Sequence, residues 1–250
     1  LALLRRGELR VSARAPRAKG QLLEGFRYVA KRPDIVAIMV AIFLVGTFGL
    51  NFAIFTATMA RVEFGHGAGE FGLLSSVLAI GSVTGALLSA RRERPQMRVV
   101  FVSAAAFGVS CAISAVMPTF ATFAVSLILV GFSSITLMTT ANSVVQTTTE
   151  PMMRGRVMAL YMAIFVGGTP LGAPIVGWVS NQFGPRWALG VGAASGIAAA
   201  IVGLVWMIVS NELRVRRDPR RRIRLVLSHS LGRAAAEEEL AVDETLARRA

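Results

Sequence analysis

The residues in this chain whose types and spacing could do chemistry are hydroxyls and amides set into apolar sequence. Ser133, Thr136, Thr140, Ser143 and Thr147 follow alternating steps of three and four, so on a helix they share one face. Thr139, Asn142 and Gln146 form a second stripe beside it. Earlier in the chain Thr47 and Asn51 stand four apart, Thr58 follows one heptad on, and Phe48, Phe52 and Phe55 lie alongside. These groups give and accept hydrogen bonds; at these spacings they make and break no covalent ones. A hydroxyl can bond the carbonyl one turn back, so the Ser/Thr stripe fits plain packing as well as a wet surface. An amide needs a partner or water. Asn51 and Asn142 are therefore the sharper candidates to line a cavity, with Thr47, Phe55, Thr136, Thr140 and Gln146 around them, and amides mixed with aromatics suit an amphiphilic ligand.

Other chemistries lack their parts. No His, Cys or carboxylate pair has metal-ligand spacing, and no GxxxxGK[ST] phosphate loop is present. Cys111 stands alone, which rules out an intramolecular disulfide and leaves a small packing residue. The expectation is a protein without enzyme activity, cofactor or metal.

The elements that must carry these side chains follow from the charge pattern. Ile35–Ala60, Phe71–Ala90, Val99–Thr149, Val157–Pro185 and Trp187–Asn211 hold no charged residue. The third run has 51 residues; as one helix it would reach ~75 Å, against a hydrocarbon core of ~30 Å. It must cross twice, turning at Met117-Pro118-Thr119. Six spans result, at residues 35–60, 71–90, 99–116, 120–145, 157–179 and 188–210. Helices are the open-chain structure that satisfies its own backbone in lipid, so the fold class is an all-α membrane protein.

The net charge of +13 then reads as topology and not as a nucleic-acid patch. Nine Lys and Arg precede the first span, Arg91, Arg92, Arg94 and Arg98 fill the second connection, Arg154 and Arg156 the fourth, and ten arginines follow the last span. The alternate connections hold only Arg61 and Arg186. Both termini are expected in the cytoplasm of a cell inner or plasma membrane protein, with three short external loops.

Residues 1–34 read as a cytoplasmic linker. Leu22, Phe26 and Val29 recur at helical spacing opposite charges, predicting an amphipathic helix along the membrane surface that leads into the first span at Pro33. A leucine start in a basic stretch without an apolar signal region suggests a cut inside a longer polypeptide. Residues 211–250 read as a cytoplasmic tail, with seven arginines between Arg214 and Arg224 and an acidic patch at residues 237–239. The arginines fit a topology anchor or attraction to anionic headgroups.

Small residues recur four apart: Gly81 and Gly85 in span two; Gly168 and Gly172, then Ala173 and Gly177, in span five; Gly192 and Gly196 in span six. Membrane helices associate by close approach at such positions, so these are expected seams. Pro170 and Pro174 predict a bend in span five.

Taken together, these features resemble the major facilitator superfamily. A basic linker, six spans with both ends inside and a polar fourth span are similar to the C-terminal half of such a transporter. Arg154-Gly-Arg-Val-Met-Ala-Leu-Tyr161, running into Gly167-Gly-Thr-Pro-Leu-Gly-Ala-Pro-Ile-Val-Gly177, is similar to the loop and eleventh helix of bacterial drug and siderophore exporters. The segment from Gln21 to Val29 with Arg32-Pro33-Asp34 looks like their central linker. The superfamily's cytoplasmic gate motif is degenerate here: Gly85 matches, Ser89 stands where an aspartate belongs, and the later glycine is missing. Arg91, Arg92 and Glu93, with Arg154 and Arg156, remain as residues that could pair across that face.

The resemblance implies one six-helix half of a twelve-helix fold, its first and fourth helices lining a cavity shared with a missing N-terminal half. It implies secondary active export of small amphiphilic molecules by alternating access. No Asp, Glu, Lys, Arg or His lies within a span, so proton coupling is expected in the other half. A permease subunit of an ATP-driven transporter is the first alternative, although connections of a few residues are short for docking an ATPase. A non-transporting membrane scaffold is the second.

Overall fold

The computed structural model describes residues 21–92 and 95–210, together with two short strands in the tail. Helix α1 spans Gln21–Ala30. The first membrane-length segment, Pro33–Glu63, is an interrupted helix. Its α2 (Pro33–Leu44) runs into a π-helical turn at Val45–Gly49, the backbone opens at Leu50 and Asn51, and α3 (Phe52–Thr58) ends in a second π turn at Met59–Glu63. The remaining helices are α4 (Ala68–Ala90), α5 (Met97–Ala115), α6 (Phe120–Thr148), α7 (Arg154–Phe183) and α8 (Pro185–Val209). Six segments are thus long and apolar enough to cross a bilayer, and the chain is an all-α, multi-pass membrane protein.

The tail, read from its sequence as a basic segment followed by an acidic patch, carries two strands. Strands β1 (Leu213–Arg217) and β2 (Ile223–Leu227) pair antiparallel, with Leu213 opposite Leu227 and Arg217 opposite Ile223. Their sequences step apolar residues at intervals of two (Leu213 and Val215; Ile223, Leu225 and Leu227), a strand period that the arginine count masked. The acidic patch at residues 237–239 lies outside the described residues.

The helix ends have local causes. Pro33 opens α2 with Asp34 in its first turn, where a missing N–H costs nothing and a carboxylate suits the dipole. Thr119 caps α6, accepting from the Thr122 amide at 3.3 Å. Between α7 and α8 the reversal rests on Gly184 at φ +99°, a conformation other residues resist.

Packing is organised by three small-residue seams. On α4, Gly81 and Gly85 lie against the backbone of α6 at Ile128 and Phe132; a Cβ at position 85 would stand 2.7 Å from the Phe132 oxygen. On α8, Gly196 meets Gly108 of α5, where an added Cβ would come within 2.6 Å of the Gly108 nitrogen. On α7, Gly168 and Gly172 lie directly on Thr47 in the interrupted segment. Gly192 accommodates the Phe55 ring, an added Cβ there meeting it at 3.2 Å. Gly177, expected in a seam by its spacing, has nothing within 4 Å of an added Cβ. The α7 helix stays continuous through Pro170 and Pro174, and the interruption falls in the neighbouring segment.

The apolar core gathers around the interrupted segment, where Ile35, Ile38, Ile42, Phe55 and Met59 are sealed with Phe107 of α5 and Leu189 of α8. Phe52 meets the Phe55 and Phe107 rings edge-on at 6.5 and 6.3 Å. The outer surfaces of α4 and α8 stay apolar and exposed, as lipid-facing surfaces do: Ile80, Val83 and Leu87 on one, Ile201 and Leu204 on the other.

Candidate functional site

The structure separates the polar residues into three groups: the interior break, the stripe on α6, and the two ends of the bundle. At the break, the π turn leaves carbonyls without their usual partners, a serious cost in lipid unless something else donates. Two side chains donate. Asn51 Nδ2 reaches the Thr47 oxygen at 2.8 Å, and Thr169 Oγ1 of α7 reaches the Gly46 oxygen at 3.4 Å. The Leu50 amide meanwhile bonds Val45 five residues back, at 3.0 Å. Gly49 lets the opened backbone approach α5 and α8; a Cβ there would press on Phe107 at 2.7 Å and on Ser195 Oγ at 2.9 Å. Thr47, Asn51 and Phe55 are all buried, Asn51 at 5% exposure. The Thr47 hydroxyl, beside Gly168, has no hydrogen-bond partner among the described residues. This is a broken helix whose loosened backbone is held by one amide, one hydroxyl and two close-lying glycines.

On α6 the stripe divides. Thr136 is buried and donates to the Phe132 oxygen at 2.7 Å, and Thr139 donates to the Ile135 oxygen at 2.8 Å. Both hydroxyl protons are spent on the helix itself. Asn142 and Gln146 pair with each other, Gln146 Nε2 donating to Asn142 Oδ1, with Asn142 half-buried and Gln146 exposed. Each amide keeps unused hydrogen-bonding capacity after that pairing. Thr140 is buried with Ser143 a turn away, and both line a cavity of about 200 Å³ bordered by Ser89 of α4 and by Arg92 just past its end. The structure brings Thr47, Asn51 and Phe55 together, and Thr136 to Gln146 together, as two separate groups. α6 packs chiefly on α4 and α5, and meets α2 near the end that carries α1.

The end that carries α1 holds the charged contacts. Arg32 forms a two-pronged pair with Asp34, Nε to Oδ1 at 3.0 Å and Nη2 to Oδ2 at 2.6 Å. Its Nη1 also reaches the Thr148 oxygen at the end of α6 and the Tyr28 hydroxyl of α1, each at 3.3 Å. The hydrogen bond to Asp34 raises the Arg32 pKa above its ordinary value, and the guanidinium stays charged. The Glu150 amide donates to Tyr28 Oη at 3.4 Å, and Arg156 pairs with Glu24 of α1 at 2.6 Å. Helix α1 is thereby fastened to the α6–α7 connection. Of the gate candidates, Arg156 finds its partner on α1, Arg91, Arg92 and Arg154 are exposed, and Glu93 lies outside the described residues.

At the opposite end Arg186 ties three elements. Its Nε meets Glu63 at 2.7 Å and its Nη1 donates to the Ala115 oxygen at 2.9 Å, joining the start of α8 to the ends of the interrupted segment and α5. Sequence reasoning missed Glu24, Tyr28, Glu63 and Arg186 as contact residues. The signal available was slight: Arg186 is the single charge in its connection, and each of these residues meets a partner more than 120 residues away. Among the described residues no three His, Cys, Asp or Glu side chains gather as metal ligands would.

Comparison with known proteins agrees with this architecture. A family model described as transmembrane secretion effector matches residues 2–241. The enterobactin exporter EntS of Citrobacter koseri is 28% identical over 202 residues, covering 79% of this chain and 47% of that protein. EntS of Escherichia coli O1:K1 is 28% identical over 204 residues, covering 77% and 46%. EntS of Salmonella typhimurium is 29% identical over 150 residues, covering 59% and 35%. The chain spans about half or less of the length of the curated relatives it matches.

Proposed function

Since this chain belongs to the transmembrane secretion effector family of the major facilitator superfamily, we propose that it forms one six-helix half of a twelve-helix secondary exporter of small amphiphilic molecules, working by alternating access. The family is one of transporters and not an enzyme class. The name of the relatives, enterobactin exporters, favours a siderophore-like or drug-like cargo. Both termini lie in the cytoplasm on this reading, because the α1 end carries the arginine-rich connections.

The single observation that carries the proposal is the Asn142–Gln146 pair. Two amides on a membrane helix, half-buried and exposed, retain donors and acceptors that the described residues do not fill. Facing hydrocarbon they would cost several kcal/mol. A water-filled cavity shared with a second six-helix half removes that cost and gives a passing molecule hydrogen-bonding groups. Thr136 and Thr140 lie on the other stripe of α6, buried within this chain, and pack behind the amides without facing the shared cavity. Asn51 and Phe55 belong to the separate interior group, shaping the interrupted helix that must move if the cavity opens to alternate sides.

Energy coupling belongs to the other half, since the only carboxylates in the membrane-length segments, Asp34, Glu63 and Glu70, stand at their ends. The test reconstitutes the full-length carrier and the 250-residue chain separately in liposomes with an imposed pH gradient. The full-length carrier should drive cargo flux, and Asn142→Leu should change its rate or cargo range while its expression stays normal. Gradient-driven flux from the 250-residue chain alone would overturn the two-half reading.

A further inference from the structure

Hydroxyl bookkeeping along α4 and α6 exposes an unassigned site. Ser75, Ser76, Ser82 and Thr84 on α4 each return a proton to a carbonyl three or four residues back. On α6, Thr122, Ser126, Ser133, Ser134, Thr136, Thr139, Thr147 and Thr148 do the same. That is the ordinary way for a membrane helix to hide a hydroxyl. Ser89, Thr140 and Ser143 form no such bond, and the Ser89 oxygen is buried without any partner among the described residues. All three line one cavity. It holds about 200 Å³, lies at the α1 end between α4 and α6, and is closed by Arg92 and Pro95. Liquid water takes ~30 Å³ per molecule, so the space admits a group of several heavy atoms.

We propose that this cavity is a binding site for a phosphate oxyanion, taken by the Arg92 guanidinium and the hydroxyls of Ser89, Thr140 and Ser143. The chemistry is matched on both sides. Arginine presents a planar fork suited to phosphate oxygens, and a tetrahedral oxyanion accepts from several convergent hydroxyls at once. The buried, unpartnered Ser89 hydroxyl, with the Thr140 and Ser143 hydroxyls beside it, distinguishes this cavity from a gap between helices, because an apolar occupant would leave Ser89 unsatisfied. Its surroundings are amphiphilic. Ala86, Ala90, Pro95 and Thr139, whose proton is spent on the Ile135 oxygen, complete the lining, and Leu87 and Leu88 stand exposed on α4, where acyl chains would lie. The phosphate of an anionic lipid headgroup satisfies both features, while free phosphate satisfies the polar one alone. The site is separate from the amide pair at Asn142 and Gln146 and does not depend on what the protein carries.

The test measures lipid retention and anion binding on the purified chain. Native mass spectrometry would follow phosphatidylglycerol and phosphatidylcholine carried through detergent, and thermal stability would be titrated with inorganic phosphate in lipid-depleted detergent. Arg92→Gln should lower phosphatidylglycerol retention about tenfold, the scale of one charge-assisted pair. Thr140→Val with Ser143→Ala should lower it several-fold, and Arg61→Gln at the opposite end should leave it unchanged. Retained phosphatidylglycerol with no response to phosphate assigns a lipid headgroup. A phosphate response lost in Arg92→Gln, without lipid retention, assigns a free anion. If Arg92→Gln does not fold, Ser143→Ala at an exposed position gives the same readout. Retention and phosphate response that are equal in the wild type, Arg92→Gln and the double hydroxyl variant would overturn the site.

Discussion

Gly172→Ala asks whether the interrupted segment is held by the α7 seam. The built Cβ would fall on the Thr47 carbonyl oxygen, well inside contact distance, so α7 must withdraw or the π turn must shift. Small-to-large changes of this kind cost about 1–3 kcal/mol. The same oxygen accepts the Asn51 amide at 2.8 Å, so a shift that breaks this bond adds about 0.5–1.5 kcal/mol. Together the loss is about 2–4 kcal/mol, or a melting temperature lower by about 5–15 °C for a chain of this size. Gly177→Ala is the internal control, since nothing stands within 4 Å of its added Cβ. There the gain in helix propensity is the only term, so its stability should hold or rise slightly. The assay is thermal unfolding in one detergent, followed by size-exclusion fluorescence. Equal melting temperatures for the two variants would refute the claim that this contact holds the break.

Three further outcomes follow from the geometry. Asn51→Leu, with its amide spent on the Thr47 oxygen, should lower stability by about 1–2 kcal/mol in the same assay, whereas Asn142→Leu should leave stability within about 0.5 kcal/mol. Charge removal at Glu63 and Arg186 in a double-mutant cycle should give a coupling of about 0.5–1 kcal/mol that weakens with added salt, because both side chains are partly exposed. Cysteines at Gly67 and Gln182, in a Cys111→Ala background, should label with an impermeant thiol reagent from outside the cell, and a cysteine at Gln96 should not. The opposite pattern would invert the topology.

Four spans were legible as separate charge-free runs between charged residues, and the third and fourth because one run of 51 residues is too long for a single crossing; that pattern depends on no tertiary contact. The interruption in the first segment was not legible. Gly46 and Gly49 are ordinary in membrane helices, and only their contacts with α5, α7 and α8 show why the backbone opens there. The pairs Gly168/Gly172 and Ala173/Gly177 read alike in sequence, yet only the first meets a neighbour. The motif records smallness and says nothing of what lies opposite. The α6 stripe was visible as a face, but sequence does not say which hydroxyls spend their protons on their own helix. Tyr28, Glu63 and Arg186 reached their partners through packing, beyond any local pattern.

The seam between α4 and α6 also bears on how the chain is made. Helix α4 packs mainly on α6 and makes few contacts with α5, the helix that follows it. When Gly85 leaves the ribosome, some 50 residues separate it from Ile135, whose side chain stands 2.5 Å from an added Cβ at that glycine. At ~5–20 residues per second the wait is roughly 3–10 s. For that interval α4 sits in the membrane with its glycine groove unfilled, able to accept any nearby helix of small residues. An insertase or chaperone that shelters a lone transmembrane segment has its natural client here. Replacement of Gly81 or Gly85 by a bulky residue would act first on biogenesis, before the finished protein could reveal a loss of stability.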